Sequence, residues 1–306
     1  MFVEPPFAET QVAPLSQAEI ISRVKGCARL PSLRSVDSAL RELLNADQRY
    51  AYQISEIVRR DPSLTSRMLR LVNSVYYGLS TPVNSIEEAV FYLGVRQIRQ
   101  LAMVTPVIED FQKLAGPTPF PWREFWQHCI GVAVLTRDVL GFVQTQSDES
   151  DYVAGLVHDV GKIVMASAFP EHFVEIQRRL VEPQAGSLVE SETAILGIDH
   201  AELGALYLKN HNLPEIMVES ACFHHEPERA SRHAPIVAAV QIADLLVRHA
   251  HIGNSGNTRE VTEENCLSAS GWGILFPHSS DAEKAIARAS LKRSLDRLPT
   301  ILEGLV

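Results

Sequence analysis

Apolar residues recur every three to four positions along most of the chain, which is the spacing of one face of an α-helix. The clearest segment is 62–77, whose apolar stripe consists of Leu64, Met68, Leu71, Val72 and Val75. A second helix start follows, because Ser85 and Glu88 have the spacing of a capping box. The pattern therefore predicts a helical N-terminal half.

Helical periodicity resumes after GPTPFPW at 116–122, where three prolines and a glycine favour a boundary between two units. The helices predicted beyond it are 123–142, 149–167, 170–181, 187–196, 200–211, 214–224, 235–250, 281–295 and 298–304. No segment shows the period-two alternation of a strand, so we predict no sheet. The sequence thus predicts an all-α protein.

The composition excludes several classes of protein. A chain of 306 residues with 46% hydrophobic and 21% charged residues is neither disordered nor collagen-like. Its net charge of −9 repels a phosphate backbone, so we expect no nucleic-acid binding. A local basic patch is the weaker alternative to arginines that face nearby glutamates, and it would consist of Arg67, Arg70, Arg96 and Arg99.

The cysteines and the apolar segments indicate a protein of the cytoplasm. The four cysteines form no C-x-x-C pair, which argues against a zinc finger or a disulfide framework. The N-terminal MFVEPPFAETQV lacks the basic region of a signal peptide. The apolar run at 236–247 is too short to span a bilayer. We therefore expect reduced thiols, no membrane contact and a cytoplasmic location.

Side chains that can bind a metal are concentrated in the second half. Glu124 and His128 are one helical turn apart, and His128 shares an apolar stripe, which predicts that it points inward. His158 and Asp159 are adjacent, so both can reach one cation from neighbouring helix positions. Lys162 follows on the same side, where it can meet a substrate phosphate. Taken singly, each has a plainer interpretation as a bonded core histidine, a polar helix end or a solvated lysine.

Asp244 lies inside an apolar helix, and this placement is the most informative one. A buried carboxylate costs several kcal/mol unless it is paired, protonated or bound to a metal. His200 follows Asp199, which suits a helix N-cap, and His224 and His225 end another helix. Imidazole with carboxylate and without thiolate suits zinc, iron or manganese rather than a structural zinc cage.

The order His128, His158-Asp159 and Asp244 resembles the H…HD…D signature of HD-superfamily phosphohydrolases. These are helical metal proteins that act mostly on phosphate esters and anhydrides. More specifically, residues 18–250 resemble an HDOD domain, the HD-related output domain of bacterial signalling. The matching segments are IVRRDPSLTSRMLRLVNSVYYG at 57–78, VNSIEEAVFYLGVRQI at 83–98, AGLVHDVGKIV at 154–164, DHAELGALYL at 199–208, LP at 213–214, HHEP at 224–227 and AD at 243–244.

The resemblance implies an HD-domain-like helical bundle preceded by an N-terminal helical unit. The expected parts are a loose segment at 1–17, a helical HDOD subdomain at 18–115, an HD-like metal-binding subdomain at 121–250, and a loop with C-terminal helices packing on the core at 251–306.

The chain also resembles the related HD-GYP phosphodiesterases, which hold two or three metals. That resemblance implies two divalent ions, of iron, manganese or zinc, held by Glu124, His128, His158, Asp159, His200, His224, His225 and Asp244. It places Lys162 on the phosphate side. The chain departs from the pattern at 224–235, where HHEPERASRHAP contains no G-x-G-Y-P element. Hydrolysis of cyclic di-GMP is therefore not implied.

Two functional hypotheses follow. The favoured one is a bacterial signal-transduction protein whose metal-binding site serves an unknown signalling partner or a phosphorylated small ligand. The alternative is a metal-dependent phosphohydrolase or phosphodiesterase that uses a metal-bound hydroxide, with Asp159 and Lys162 as catalytic residues. Retention of the ligand set favours the alternative, whereas the missing G-x-G-Y-P element and the family's regulatory role favour the first.

Overall fold

The protein is all-α, as predicted. The computed structural model describes residues 12–27, 65, 68–69, 72–73, 81–94, 118–143, 150–182 and 186–303, and these ranges contain no strand. Residues 86–94 are helical. The other α-helices of the described ranges are α1 (Gln17–Gly26), α2 (Trp122–Gly141), α3 (Ser150–Val157), α4 (Val160–Ala168), α5 (Pro170–Leu180), α6 (Leu188–Leu196), α7 (His200–Asn210), α8 (Glu215–Phe223), α9 (Ala234–His249), α10 (Glu263–Leu267), α11 (Gly271–Leu275) and α12 (Asp281–Glu303). A 3-10 turn, Pro227–Arg229, links α8 to α9.

Local capping signals define where several of these helices begin. The Ser85 hydroxyl accepts a hydrogen bond from the backbone N–H of Glu88 at 3.1 Å, as the sequence predicts. Asp199 caps α7 in the same way through the N–H of Glu202, at 2.8 Å. Such caps satisfy backbone donors that a helix leaves free at its start. The start of α7, which carries His200, is therefore fixed by its own sequence.

The core forms where α9 crosses α2 and α3, while α7 packs against α4 and α8. The crossing of α4 and α7 depends on glycine. A Cβ atom on Gly161 would lie 1.8 Å from the carbonyl oxygen of His200, closer than any side chain tolerates. Gly204 faces the same contact, since its Cβ would lie 3.0 Å from the Gly161 nitrogen. This close approach brings the first turn of α7 beside the first turn of α4.

The described N-terminal residues pack on the second half of the chain. The Leu15 N–H donates to the Leu196 carbonyl at 3.1 Å, and His172 Nε2 donates to the Ala13 carbonyl at 3.1 Å. Helix α1 contacts α4 and α7. The boundary predicted near 116–122 stays a prediction, because residues 95–117 lie outside the described ranges.

Three details differ from the predicted helices. The predicted helix 149–167 is divided into α3 and α4, with His158 and Asp159 between them. Both helices are buried on nearly all sides, so apolar residues continue along the sequence on both sides of the break. The sequence pattern therefore gives no sign of the break between the two helices. The predicted helices 281–295 and 298–304 are one helix, α12, which continues through Pro299, with Leu298 and Leu302 buried on either side of it. The short helices α10 and α11 were not predicted.

Several predictions on the N-terminal half concern residues that are not described. Met68 and Val72 are fully buried, as the stripe at 62–77 predicts, but the rest of that stripe lies outside the described residues. The same holds for the arginines of the alternative basic patch.

All four cysteines are free, as expected. In the described part of the chain, no helix has the length and apolarity needed to cross a membrane.

A buried carboxylate joins α8 to the start of α9. Glu219 accepts hydrogen bonds from the backbone N–H groups of Ser231, Arg232 and His233 at 2.8–3.3 Å, and from the Ser231 hydroxyl at 2.8 Å. Burial raises the pKa of Glu219, but these donors outweigh it and leave the pKa below its usual value. The carboxylate thus fixes the segment that leads into α9 and its Asp244.

We predict that Glu219→Gln lowers the free energy of unfolding at pH 7 by about 1–3 kcal/mol, because the amide offers only one oxygen to these donors. The folded-state pKa lies below the unfolded one, so this stabilisation is complete above the unfolded pKa and is lost as the pH falls through the folded pKa. Urea unfolding at several pH values measures both effects. Glu215→Gln, at an exposed position of the same helix, is the control, and equal stabilities of the two variants at pH 7 would contradict the prediction.

Candidate metal centre

Side chains from five parts of the chain meet at one buried point. His128 comes from α2, His158 and Asp159 from the α3–α4 break, His200 from the start of α7, His224 and His225 from the end of α8, and Asp244 from the middle of α9. Each of them is at most 5% exposed except His225, which is half-buried. Solvent therefore reaches the cluster beside His225.

The first group consists of His128, His158, Asp159 and Asp244. His128 Nε2 lies 3.2 Å from Asp244 Oδ1 and 3.7 Å from Asp159 Oδ2. His158 Nε2 lies 3.5 Å from Asp159 Oδ2 and 3.9 Å from Asp244 Oδ1. Two imidazole nitrogens and two carboxylate oxygens thus surround a common point.

The second group consists of His200, His224 and His225, whose ligand atoms lie within 4.8 Å of one another. His200 Nε2 is 3.1 Å from His225 Nε2. Asp159 joins the two groups, because its Oδ1 lies 3.3 Å from His200 Nε2 and 3.8 Å from His224 Nε2. The two oxygens of one carboxylate therefore face different groups.

The backbone orients two of these imidazoles. His158 Nδ1 donates to the Gly155 carbonyl at 2.7 Å, and His224 Nδ1 donates to the Ala221 carbonyl at 2.9 Å. A proton on Nδ1 leaves Nε2 with a free lone pair. Both Nε2 atoms are buried and have no hydrogen-bond partner among the described residues. Such atoms are costly to bury unless something else binds them.

The two carboxylates are held in the ionised form. Burial raises the pKa of Asp159, but the Lys162 ammonium at 2.6 Å and the nearby imidazoles hold it well below its usual value. Burial also raises the pKa of Asp244, and the neighbouring His128 imidazole together with Arg248 lowers it well below its usual value. Both side chains therefore present anionic oxygen.

Three of the candidate ligands, His158, His224 and His225, favour the neutral imidazole. Burial, together with neighbouring imidazoles, lowers the pKa of His158 and lowers that of His224 strongly. Burial and His200 lower the pKa of His225 to about 3. Neutral imidazole and ionised carboxylate are the forms that bind metal.

These residues fit divalent transition-metal ions. The partnerless Nε2 atoms of His158 and His224 point toward an ionised aspartate, and no thiolate takes part in either group. Nitrogen and oxygen donors without sulfur suit zinc, iron or manganese. The structure therefore contains His/Asp groups that can bind metal.

Two residues predicted for the site, Glu124 and Lys162, belong to neither group of candidate ligands. Glu124 is exposed, one turn before His128, and belongs to neither group. Its role as a ligand stays a prediction. Lys162 is 5% exposed and bonds Asp159 directly, at 2.6 Å. Its predicted role toward a phosphate stays a prediction as well.

Sequence reasoning missed two charged residues that support the ligands. Glu192 on α6 bonds His200, and Arg248 on α9 lies 3.3 Å from Asp244 Oδ2. A signal for each was present in the sequence. Glu192 takes the place of an apolar residue on the buried stripe of Leu188 and Ile195, and Arg248 follows Asp244 at the i,i+4 spacing of helical ion pairs.

The described helices gather buried imidazoles around one shared aspartate, so the chain is an all-α protein with a candidate metal site. The HDOD domain model matches residues 30–227, which is most of the chain. The chain belongs to the HDOD family, as its motifs predict.

Several solved structures share the fold. An HDOD domain protein of unknown function from Geobacter sulfurreducens has a TM-score of 0.76 at 24% identity, over 97% of this chain and 99% of that one. A provisionally named phosphohydrolase from Shewanella amazonensis SB2B has a TM-score of 0.67 at 22% identity, over 94% of this chain and 98% of that one. A provisionally named signal transduction protein from Marinobacter aquaeolei VT8 has a TM-score of 0.64 at 17% identity, over 94% of this chain and 64% of that one. At these identities the likeness shows the fold alone.

One curated relative is similar in sequence. An uncharacterized protein of Treponema pallidum (strain Nichols) is 28% identical over 250 residues, which are 78% of this chain and 45% of that protein. The chain thus spans just under half of the relative's length.

We predict that protein purified without chelator contains transition metal, and that Asp159→Asn loses most of it at both groups. The reason is that each Asp159 oxygen faces a different group. Elemental analysis of the folded protein measures the loss, and circular dichroism checks the fold. Asp296→Asn, at an exposed position of α12, is the control.

If the Asp159 variant does not fold, His225→Ala replaces it and is expected to lose only the ion of the second group. Wild-type protein without metal, or Asp159→Asn with a full complement, would overturn the prediction.

Proposed function

We propose that the chain is a bacterial signal-transduction protein of the HDOD family whose buried centre binds two divalent ions of iron, manganese or zinc. The observation that carries the proposal is the position of Asp159 between two histidine groups, with Oδ2 3.5 Å from His158 Nε2 and Oδ1 3.3 Å from His200 Nε2. A single carboxylate with imidazoles on both sides is the arrangement that two cations can share.

The charges in and around the centre support bound cations. Three carboxylates, those of Asp159, Asp244 and Glu192, are buried there, and two cationic side chains, Lys162 and Arg248, accompany them. Imidazoles that bind a cation are neutral, so in the metal-bound form these side chains would contribute an excess of one negative charge to the low-dielectric interior. Buried charge of this kind needs compensation. Two divalent ions would turn the excess positive and favour an anionic ligand.

The family supports the signalling role, and the charge balance supports an anionic ligand. HDOD domains are output domains, so the ligand we propose is a phosphorylated small molecule or a signalling partner that presents an anionic group. It would approach beside the half-buried His225. In this role the histidines and aspartates of α2, α7, α8 and α9 would hold the ions, whose positive charge would attract the ligand.

A second candidate function is hydrolysis of a phosphate ester or nucleotide, and Lys162 is the observation that favours it. Its ammonium is buried at the centre, 2.6 Å from Asp159, which places a positive charge beside the candidate metal ligands. Bound ions would supply an activated water and polarise a phosphoryl oxygen. Lys162 would stabilise the negative charge that develops on the phosphoryl oxygens. The imidazoles and aspartates would hold the ions, and the burial of the centre would limit access of bulk water.

Turnover by the metal-loaded protein distinguishes the two candidates. The panel consists of linear and cyclic dinucleotides, nucleotides and simple phosphate esters, each with manganese, iron or zinc. If the protein is a hydrolase, Lys162→Ala keeps its metal, because an ammonium is no ligand, and loses about 100-fold or more in rate. Lys209→Ala, at an exposed position of α7, is the control and keeps both.

The outcomes separate cleanly. Absence of turnover by loaded wild-type protein would contradict the hydrolase candidate and leave the signalling proposal. Equal turnover by the metal-free protein, or by Lys162→Ala, would contradict the roles given to the metal and the lysine. A wild-type protein that binds no transition metal would overturn the proposal itself.

A further inference from the structure

Glu192 is a buried carboxylate that lies outside the two ligand groups. It projects from α6, is 1% exposed, and directs one oxygen at a single residue. Its Oε2 accepts two hydrogen bonds from His200, one from the backbone N–H at 2.9 Å and one from ring Nδ1 at 2.6 Å. Both the backbone and the ring of His200 are therefore held by one oxygen atom.

This contact decides which nitrogen of His200 is free. With its proton on Nδ1 and donated to Glu192, the ring presents the lone pair of Nε2 in the direction of Asp159 Oδ1, at 3.3 Å, and of His225 Nε2, at 3.1 Å. His158 and His224 are oriented in the same way by neutral backbone carbonyls. His200 differs from them because its partner is a carboxylate side chain, which makes Nε2 a stronger donor to a cation than a neutral carbonyl does.

A purely structural role is the alternative. The bond to the His200 N–H also ties α6 to the first turn of α7, and any acceptor in this place would do that. Asp199 already caps the same turn through the N–H of Glu202, at 2.8 Å, so the helix start does not depend on Glu192 alone. The short bond to the ring, by contrast, serves no purpose in capping.

We propose that Glu192 is a positioning residue for the second group: through the His200 ring it fixes Nε2 as the ligand atom and strengthens the binding of that group's ion. This inference rests on the proposed function, since it presumes that the two groups bind metal. It predicts an asymmetric effect. Among the described contacts, Glu192 bonds no member of the first group, so its loss weakens one ion and spares the other.

Glu192→Gln tests the proposal, because the amide keeps the size of the side chain and an oxygen acceptor but removes the charge. Metal-depleted wild type and variant are titrated with Zn²⁺ against a chromophoric chelator. We expect the dissociation constant of one ion to rise about 10–100-fold, as found for lost partners of metal-bound histidines, and that of the other to stay within about threefold. Glu202→Gln, at an exposed position of α7, is the matched control and changes neither.

Urea unfolding of the metal-free proteins separates positioning from folding, because a purely structural role lowers the stability of the metal-free form and weakens both ions alike. If the glutamine variant does not fold, Glu192→Asp, which keeps the charge but moves it, replaces it and is expected to weaken the same ion selectively. Unchanged dissociation constants, or an equal loss at both ions, would overturn the role of Glu192 while leaving the proposed function intact. A wild-type protein that binds no Zn²⁺ would overturn both.

Discussion

The carboxylate of Asp159 is buried where α3 ends and α4 begins, with only 1% of the residue exposed. An ionised group in such a place costs several kcal/mol unless partners surround it. Partners do surround it: Lys162 of α4 lies at 2.6 Å, His200 of α7 at 3.3 Å and the adjacent His158 at 3.5 Å. The packing of the second half of the chain is therefore inseparable from the electrostatics of this one side chain.

The helix geometry makes this concentration of charge possible. Asp159 occupies the N-cap position of α4, yet its side chain makes no capping hydrogen bond and stays available to the centre. His200 reaches it because Gly161 lets the two backbones approach more closely than any other residue would allow. A side chain at position 161 would separate α4 from α7 and move His200 away from Asp159. The same glycine that packs the fold thus also sets the distance between the two groups.

The groups that orient the candidate ligands differ in charge. Backbone carbonyls orient His158 and His224, whereas carboxylate Glu192 orients His200 and guanidinium Arg248 contacts Asp244. Neutral partners fix a tautomer at little electrostatic cost. Charged partners also change how strongly the ligand binds a cation, so they adjust affinity as well as geometry. In this protein the charged supports lie on α6 and on α9, outside the break that carries the HD pair.

The sequence by itself predicted the all-α class, the family and most of the residues that the structure brings together in the two groups. Local signals suffice for these, because capping serines, apolar spacing and the order of histidines and aspartates are all written along the chain. The burial of Asp244 was predictable since a lone acid in an apolar helix can face only the core. The break at His158 and Asp159, the exposure of Glu124 and the bonds of Glu192 and Arg248 were decided by tertiary structure. Each of these depends on which helices pack together and how closely, and that information is shared among residues far apart in the chain.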